Sequence, residues 1–226
     1  MKKIILYLTF FSIISACKKD SILSYEKRSF TEYFPATTDS YIIYDCDSIV
    51  VDDFTGKTDT FKFQIKELYE SSFIDNAGRN SIRLERWKKE ADSSFWTLKD
   101  VWSLTKTDAR VEKVEEDVRF IKLLFPPEDQ LTWDINALNS VGNRMVEIQH
   151  LHQPLDSADF QFDSTLTVVN TDPANLVNEY RDKEVFAINK GMIYKKLVNV
   201  KYEVPTKKVK SGTIFTMRAT KIYIKN

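Results

Sequence analysis

The sequence predicts a mainly β protein, an antiparallel meander of about nine strands curled into a half-barrel or barrel, with at most one or two short helices. From Tyr41 onward the dominant hydrophobic period is two, the period of strands. Turn-forming clusters separate the alternating runs at short intervals, as in hairpins. The five glycines, at 56, 78, 142, 191 and 212, are scattered, and no fixed-length repeat or low-complexity tract appears. A meander with short connections protects its edges by curling or closing.

Residues 41–53 are rich in β-branched and aromatic side chains, and a turn at 54–58 leads into Phe61, Phe63 and Ile65 alternating with Lys62, Gln64 and Lys66. That pair reads as a hairpin. Turns at 75–78, 91–94 and 107–109 then separate strands at 81–89, 95–106 and 110–125. In the last of these Lys113, Glu115, Asp117 and Arg119 are predicted to face water, opposite Val114, Val118 and Phe120. Apolar residues occupy both faces at 120–125, so this strand end is expected to be bulged or covered, and Pro126-Pro127 stops it. Residues 126–143, with Trp133, form the longest irregular section, and strands follow at 144–152, 160–169, 192–204 and 213–225. Asp172 as N-cap and Pro173 at the first helical position would open a short helix reaching Leu176 and Tyr180.

The N-terminus gives an address. Lys2 and Lys3 precede an apolar run at 4–14, too short for the roughly 20 residues that span a membrane, and Ser15-Ala16 supplies small residues before Cys17. Ile14-Ser15-Ala16-Cys17 looks like a lipobox, which divides the chain into a signal peptide (1–16), a lipidated Cys17 with a flexible tether (17–39) and a single β domain (40–226). The competing reading is an ordinary secretory signal cut near Ala16, with Cys17 a free thiol. Several acyl chains such as palmitate hold a protein stably at a bilayer, whereas one holds it marginally.

Together with the segment from Glu184 to Lys195, an acidic-aromatic strand running into glycine, two apolar residues and Tyr-Lys, these features resemble envelope lipoproteins of Bacteroidota. The resemblance implies an address in the cell envelope, at the outer membrane since Lys18 and not Asp follows the cysteine, and an architecture similar to lipocalin-like or LolA-like carriers. It implies no catalytic residues.

Composition narrows the function classes. Removing residues 1–16 takes Lys2 and Lys3 with it and leaves 31 basic against 33 acidic groups. That balance carries no basic excess for nucleic acid. Cys46 has no second thiol nearby for a redox pair and reads as a small buried residue on a strand. No G-x-S-x-G elbow, P-loop or G-x-G-x-x-G is present, so no enzymatic activity and no cofactor is expected.

Two histidines, His150 and His152, sit at i and i+2, on one strand face that continues Val146 and Ile148. They could chelate a metal if Asp156, Asp159 or Asp163 supplied a third ligand, but a strand end emerging into solvent before Pro154 is the favoured reading. Asp45, Asp47, Asp52, Asp53 and Asp59 lack the spacing of a calcium loop and read as a wet face. The tryptophans give the one binding hint: Trp96 and Trp102, sharing a face with Leu98 and Leu104, are core candidates, while Trp87 and Trp133 are candidate exposed platforms. The expectation is a membrane-anchored, non-enzymatic β domain holding a hydrophobic or amphiphilic ligand in a concavity lined by Trp96, Trp102, Phe162 and Tyr202. The alternative is an accessory module that docks a glycan or an envelope protein through exposed aromatics. Oligomeric state is not legible.

Overall fold

The computed structural model describes residues 30–156, 160–172 and 175–225. β1 (Tyr41–Val51) leads through β2 (Thr58–Ile74), β3 (Asn80–Glu90), β4 (Thr97–Lys106) and β5 (Arg110–Glu115) to β6 (Val118–Leu124) on one side. On its other side β1 pairs with the last strand, β12 (Lys208–Tyr223). Beyond β12 follow β11 (Gly191–Glu203), β10 (Asn178–Ala187), β9 (Gln161–Asn170), β8 (Met145–Asp156) and β7 (Thr132–Asp134). Every neighbouring pair is antiparallel. The seam lies between β6 and β7, where Ile135 O accepts from Ile121 N–H at 2.9 Å and Ile121 O accepts from Trp133 Nε1–H at 2.9 Å. The twelve-stranded sheet is therefore a nearly closed barrel.

Three strands go beyond the nine read from sequence. Residues 110–125 form a hairpin and not one strand: Glu116 and Asp117 both take positive φ (47° and 62°), the geometry of a two-residue primed turn, without the glycine or asparagine that usually announces one. β7 is three residues long and hides in the irregular section. The helix expected around Leu176 and Tyr180 is a strand instead: Tyr180 pairs with Asn199, and Leu176 is exposed in the preceding turn. Barrel pairing outcompeted a cap signal that one proline supplied.

The faces of the 110–119 segment are also corrected. Lys113 is 7% exposed and points into the barrel with Glu115, while Asp117 sits in the turn and Arg119 reaches the buried Glu112 on the outer wall. The alternation holds for Lys113 and Glu115, but the side they share is the inner one. At 120–125 the strand is bulged, the register slipping past Lys122 between the Val111–Leu123 and Glu112–Ile121 pairs.

The part of the tether that the structure describes belongs to the domain. A 3-10 turn, Thr31–Tyr33, buries Tyr33 and Phe34 in the main core, and Phe34 meets Phe186 with ring centroids 5.8 Å apart. Tyr33 Oη bonds His152 Nδ1 (2.8 Å) and Ser164 Oγ (2.7 Å), and Glu32 O accepts from Asn189 N–H. Burying two such side chains contributes roughly 3–6 kcal/mol. Residues 30–40 thus plug the end of the barrel where β1 begins, hereafter the near end. The turns after β1, β3, β5, β7, β9 and β11 form the far end.

Candidate ligand cavities

The barrel interior is not the apolar concavity expected. Nine ionised side chains run across it in alternating sign: Asp100, Arg86, Glu67, Lys113, Glu115, Lys122, Glu184, Lys195 and Asp182. The ends are tight, with Arg86 Nη1 to Asp100 Oδ2 at 2.7 Å, Lys122 Nζ to Glu184 Oε1 at 2.7 Å and Lys195 Nζ to Glu184 Oε1 at 2.6 Å. The middle is slack: Lys113 Nζ stands 3.4 Å from Glu67 Oε1 and 3.6 Å from Glu115 Oε1, and Lys122 Nζ 4.0 Å from Glu115 Oε1. Burial alone would push the Glu184 carboxyl up, but the two ammonium groups beside it overcome that and hold it well below the usual carboxylate range. Burial pulls Lys195 and Lys122 down, and the facing carboxylates more than reverse it. Trp102 lies against this chain, its ring centroid 3.9 Å from the Arg86 guanidinium carbon and 4.5 Å from Lys113 Nζ. A cavity of about 250 Å³ is left between Trp102, Lys113, Glu115 and the opposite wall.

A larger groove of about 560 Å³ lies toward the near end. Opposite the single residue Leu166, three residues of β8, His150, Leu151 and His152, lie between the Gln149–Thr167 and Gln153–Thr165 pairs, and both histidines take positive φ (55° and 59°). The break lets Pro154, Leu155 and Phe162 of the hairpin stand over β10–β12, where Val185, Ile193 and Ala219 form an apolar floor. Lys183, Arg218, His150 and Asp156 rim it, and Arg218 also stands 3.5 Å from Asp47. Val185 and Tyr194 alternate with the inward Glu184 and Lys195, so this groove is on the outer wall.

The residues expected to bind are scattered. Trp133 is 7% exposed in the main core, its indole donating across the seam, so it is no exposed platform. Trp87 is half-buried on the outer wall and donates to Glu85. Trp96 precedes β4 and does not share a face with Trp102, because Lys99 is bulged between the Trp87–Leu98 and Arg86–Asp100 pairs and turns Leu98 outward. Of the four lining residues expected, Trp102 lines the interior, Phe162 the outer groove, and Tyr202 instead bonds Glu179. His150 and His152 diverge at the bulge, one toward the groove and one toward Tyr33, and among the described residues no three His, Cys, Asp or Glu side chains converge as a metal site. Asp159 lies outside the described residues, as does Cys17. Cys46 is buried on β1, and burial pushes its thiol up to about 12.

No family model matches the chain, and no curated protein matches it. Two crystal structures are similar in fold. One is of a "putative exported protein with YmcC-like fold" from Bacteroides fragilis, 11% identical over 83% of this chain and 98% of that chain, with a TM-score of 0.43. The other is of a "putative lipoprotein" from Parabacteroides distasonis, 6% identical over 84% of this chain and 98% of that chain, with a TM-score of 0.41.

Proposed function

We propose that this protein is a cell-envelope lipoprotein, anchored through Cys17, whose β barrel holds an amphiphile with an acidic head in the outer groove. The observation that carries the reading is the groove itself: an apolar floor of Val185, Ile193 and Ala219 beneath Phe162, with two cations, Lys183 and Arg218, against the single carboxylate Asp156 at its rim. Its volume of about 560 Å³ falls in the range of small-molecule sites, roughly 300–1,000 Å³. Apolar walls with a few polar groups at the edge select a molecule with the same division. The groove also lies at the end of the barrel where the chain leads back to the anchor, so an amphiphile taken from the bilayer has a short path.

The charged interior turns the reading away from a purely hydrophobic ligand and away from the barrel lumen. Native mass spectrometry of the full-length lipoprotein tests it. An acidic amphiphile should co-purify with the wild type and be lost from Lys183→Glu/Arg218→Glu, whose exposed positions leave folding intact. Equal retention by both proteins, or an empty wild type, overturns it.

A further inference from the structure

We infer that the barrel interior is a second binding site, independent of the outer groove, for a small zwitterion carrying an ammonium and a carboxylate. The alternating chain of nine groups holds five acids and four bases, and Lys99, 2.7 Å from Asp100, balances it at one end, so what is left open is a matter of hydrogen bonds and not of net charge. The open place is at Glu115. Its nearest cations stand at 3.6 and 4.0 Å, beyond hydrogen-bond reach, and its carboxylate accepts no hydrogen bond from the described residues. Beside it Lys113, 7% exposed, makes a single long hydrogen bond, to Glu67 at 3.4 Å, although an ammonium carries three donors.

Glu115 keeps 25% of its side chain exposed, whereas Lys113 is buried, and a buried ammonium with donors unmet is costly. The cavity of about 250 Å³ opens onto these two groups. A guest that donates to Glu115 through an ammonium and accepts from Lys113 through a carboxylate would complete both and, being neutral overall, leave the balance of charge unchanged. The aliphatic part of such a guest would rest on Trp102. The cavity size suits a free amino acid or a dipeptide and excludes an acyl chain. The path in is from the far end: Phe34 and Phe186 close the near end, while the inward Phe63, Leu197 and Phe215 toward the far end are only half-buried.

Isothermal titration of the full-length lipoprotein in detergent with the twenty free amino acids and with dialanine tests this. Saturable binding is expected for at least one probe. N-acetylation of that probe, which removes its ammonium without touching the protein, should weaken binding at least tenfold, as should Glu115→Gln. Carboxyl amidation and Lys113→Met should act likewise, with circular dichroism confirming the fold of each variant. Absence of saturable binding, or equal binding of the acetylated probe, means the cavity holds water only and overturns the inference. Lys183→Glu/Arg218→Glu should leave this binding unchanged, so failure of the interior site and failure of the outer groove are separable outcomes.

Discussion

Glu184→Gln removes the carboxylate on which two buried ammonium groups converge. Lys122 and Lys195 hold it at 2.7 and 2.6 Å, with side chains 8% and 19% exposed. After the substitution Lys122 keeps only Glu115 at 4.0 Å, and Lys195 keeps Asp182 at 3.3 Å. Breaking a buried pair and stranding its partner costs about 3–5 kcal/mol. For a chain of this length that lowers the melting temperature by roughly 6–20 °C. Lys122→Met in the same chain should recover a large part of the loss, because it removes the stranded charge. The pH dependence gives an independent reading. Glu184 titrates lower in the folded state than in the unfolded chain, where the value is about 4.3. Its contribution is therefore complete above that value and is lost as pH falls toward the depressed folded one. Urea melts from pH 7 down to pH 3 should show the wild type converging on the variant as acid is added. A loss below about 1 kcal/mol at pH 7, or a difference between the two proteins that stays constant with pH, would refute the ionic account of the interior.

Three further outcomes are expected. Cys17→Ser should abolish incorporation of radiolabelled palmitate and release the protein from the membrane fraction, since the acyl chains alone hold it there. Cys46, 2% exposed with its thiol pushed up to about 12, should stay unmodified by a thiol-specific reagent at pH 8 and react at once in denaturant. His152→Ala should cost about 1 kcal/mol in chemical denaturation by removing a partner of Tyr33 Oη and the ring against Phe30, while His150→Ala at the groove rim should change stability by less than about 0.5 kcal/mol.

The architecture was legible because alternation and turns are local. The hairpin from β1 to β2, the strands β3 and β4 and the closing strands β11 and β12 fall where period-two runs and turn clusters place them. What failed depended on distant partners. The Glu116-Asp117 turn adopts positive φ without a residue that advertises it, because the pairing of β5 with β6 imposes the turn. β7 is too short to show a period, and its role is to carry Trp133 across the seam. Tyr33 and Phe34 lack periodicity among polar neighbours, and only the open end of a barrel gives them something to fill.

The interior was the hardest part to read, and the reason is physical. Lys113 and Glu115 alternate with Val114 just as a solvated strand face would, and period two separates the two faces without saying which one is wet. The deciding partners are far away in the chain, Glu67 forty-six residues from Lys113 and Glu184 sixty-two from Lys122. One signal was nonetheless present. Lys122 sits within Phe120-Ile121-Lys122-Leu123-Leu124-Phe125, a run apolar on both faces and therefore covered on both. A lysine there has no wet side to reach and needs a buried carboxylate. Glu184 in the acidic-aromatic half of β10 supplies it, 2.7 Å away. Once that pair is fixed, the bulge at Lys122 and the register of β10 with β11 bring Glu115 and Lys195 to the same wall, so the charged interior follows from one stranded lysine in an otherwise apolar strand.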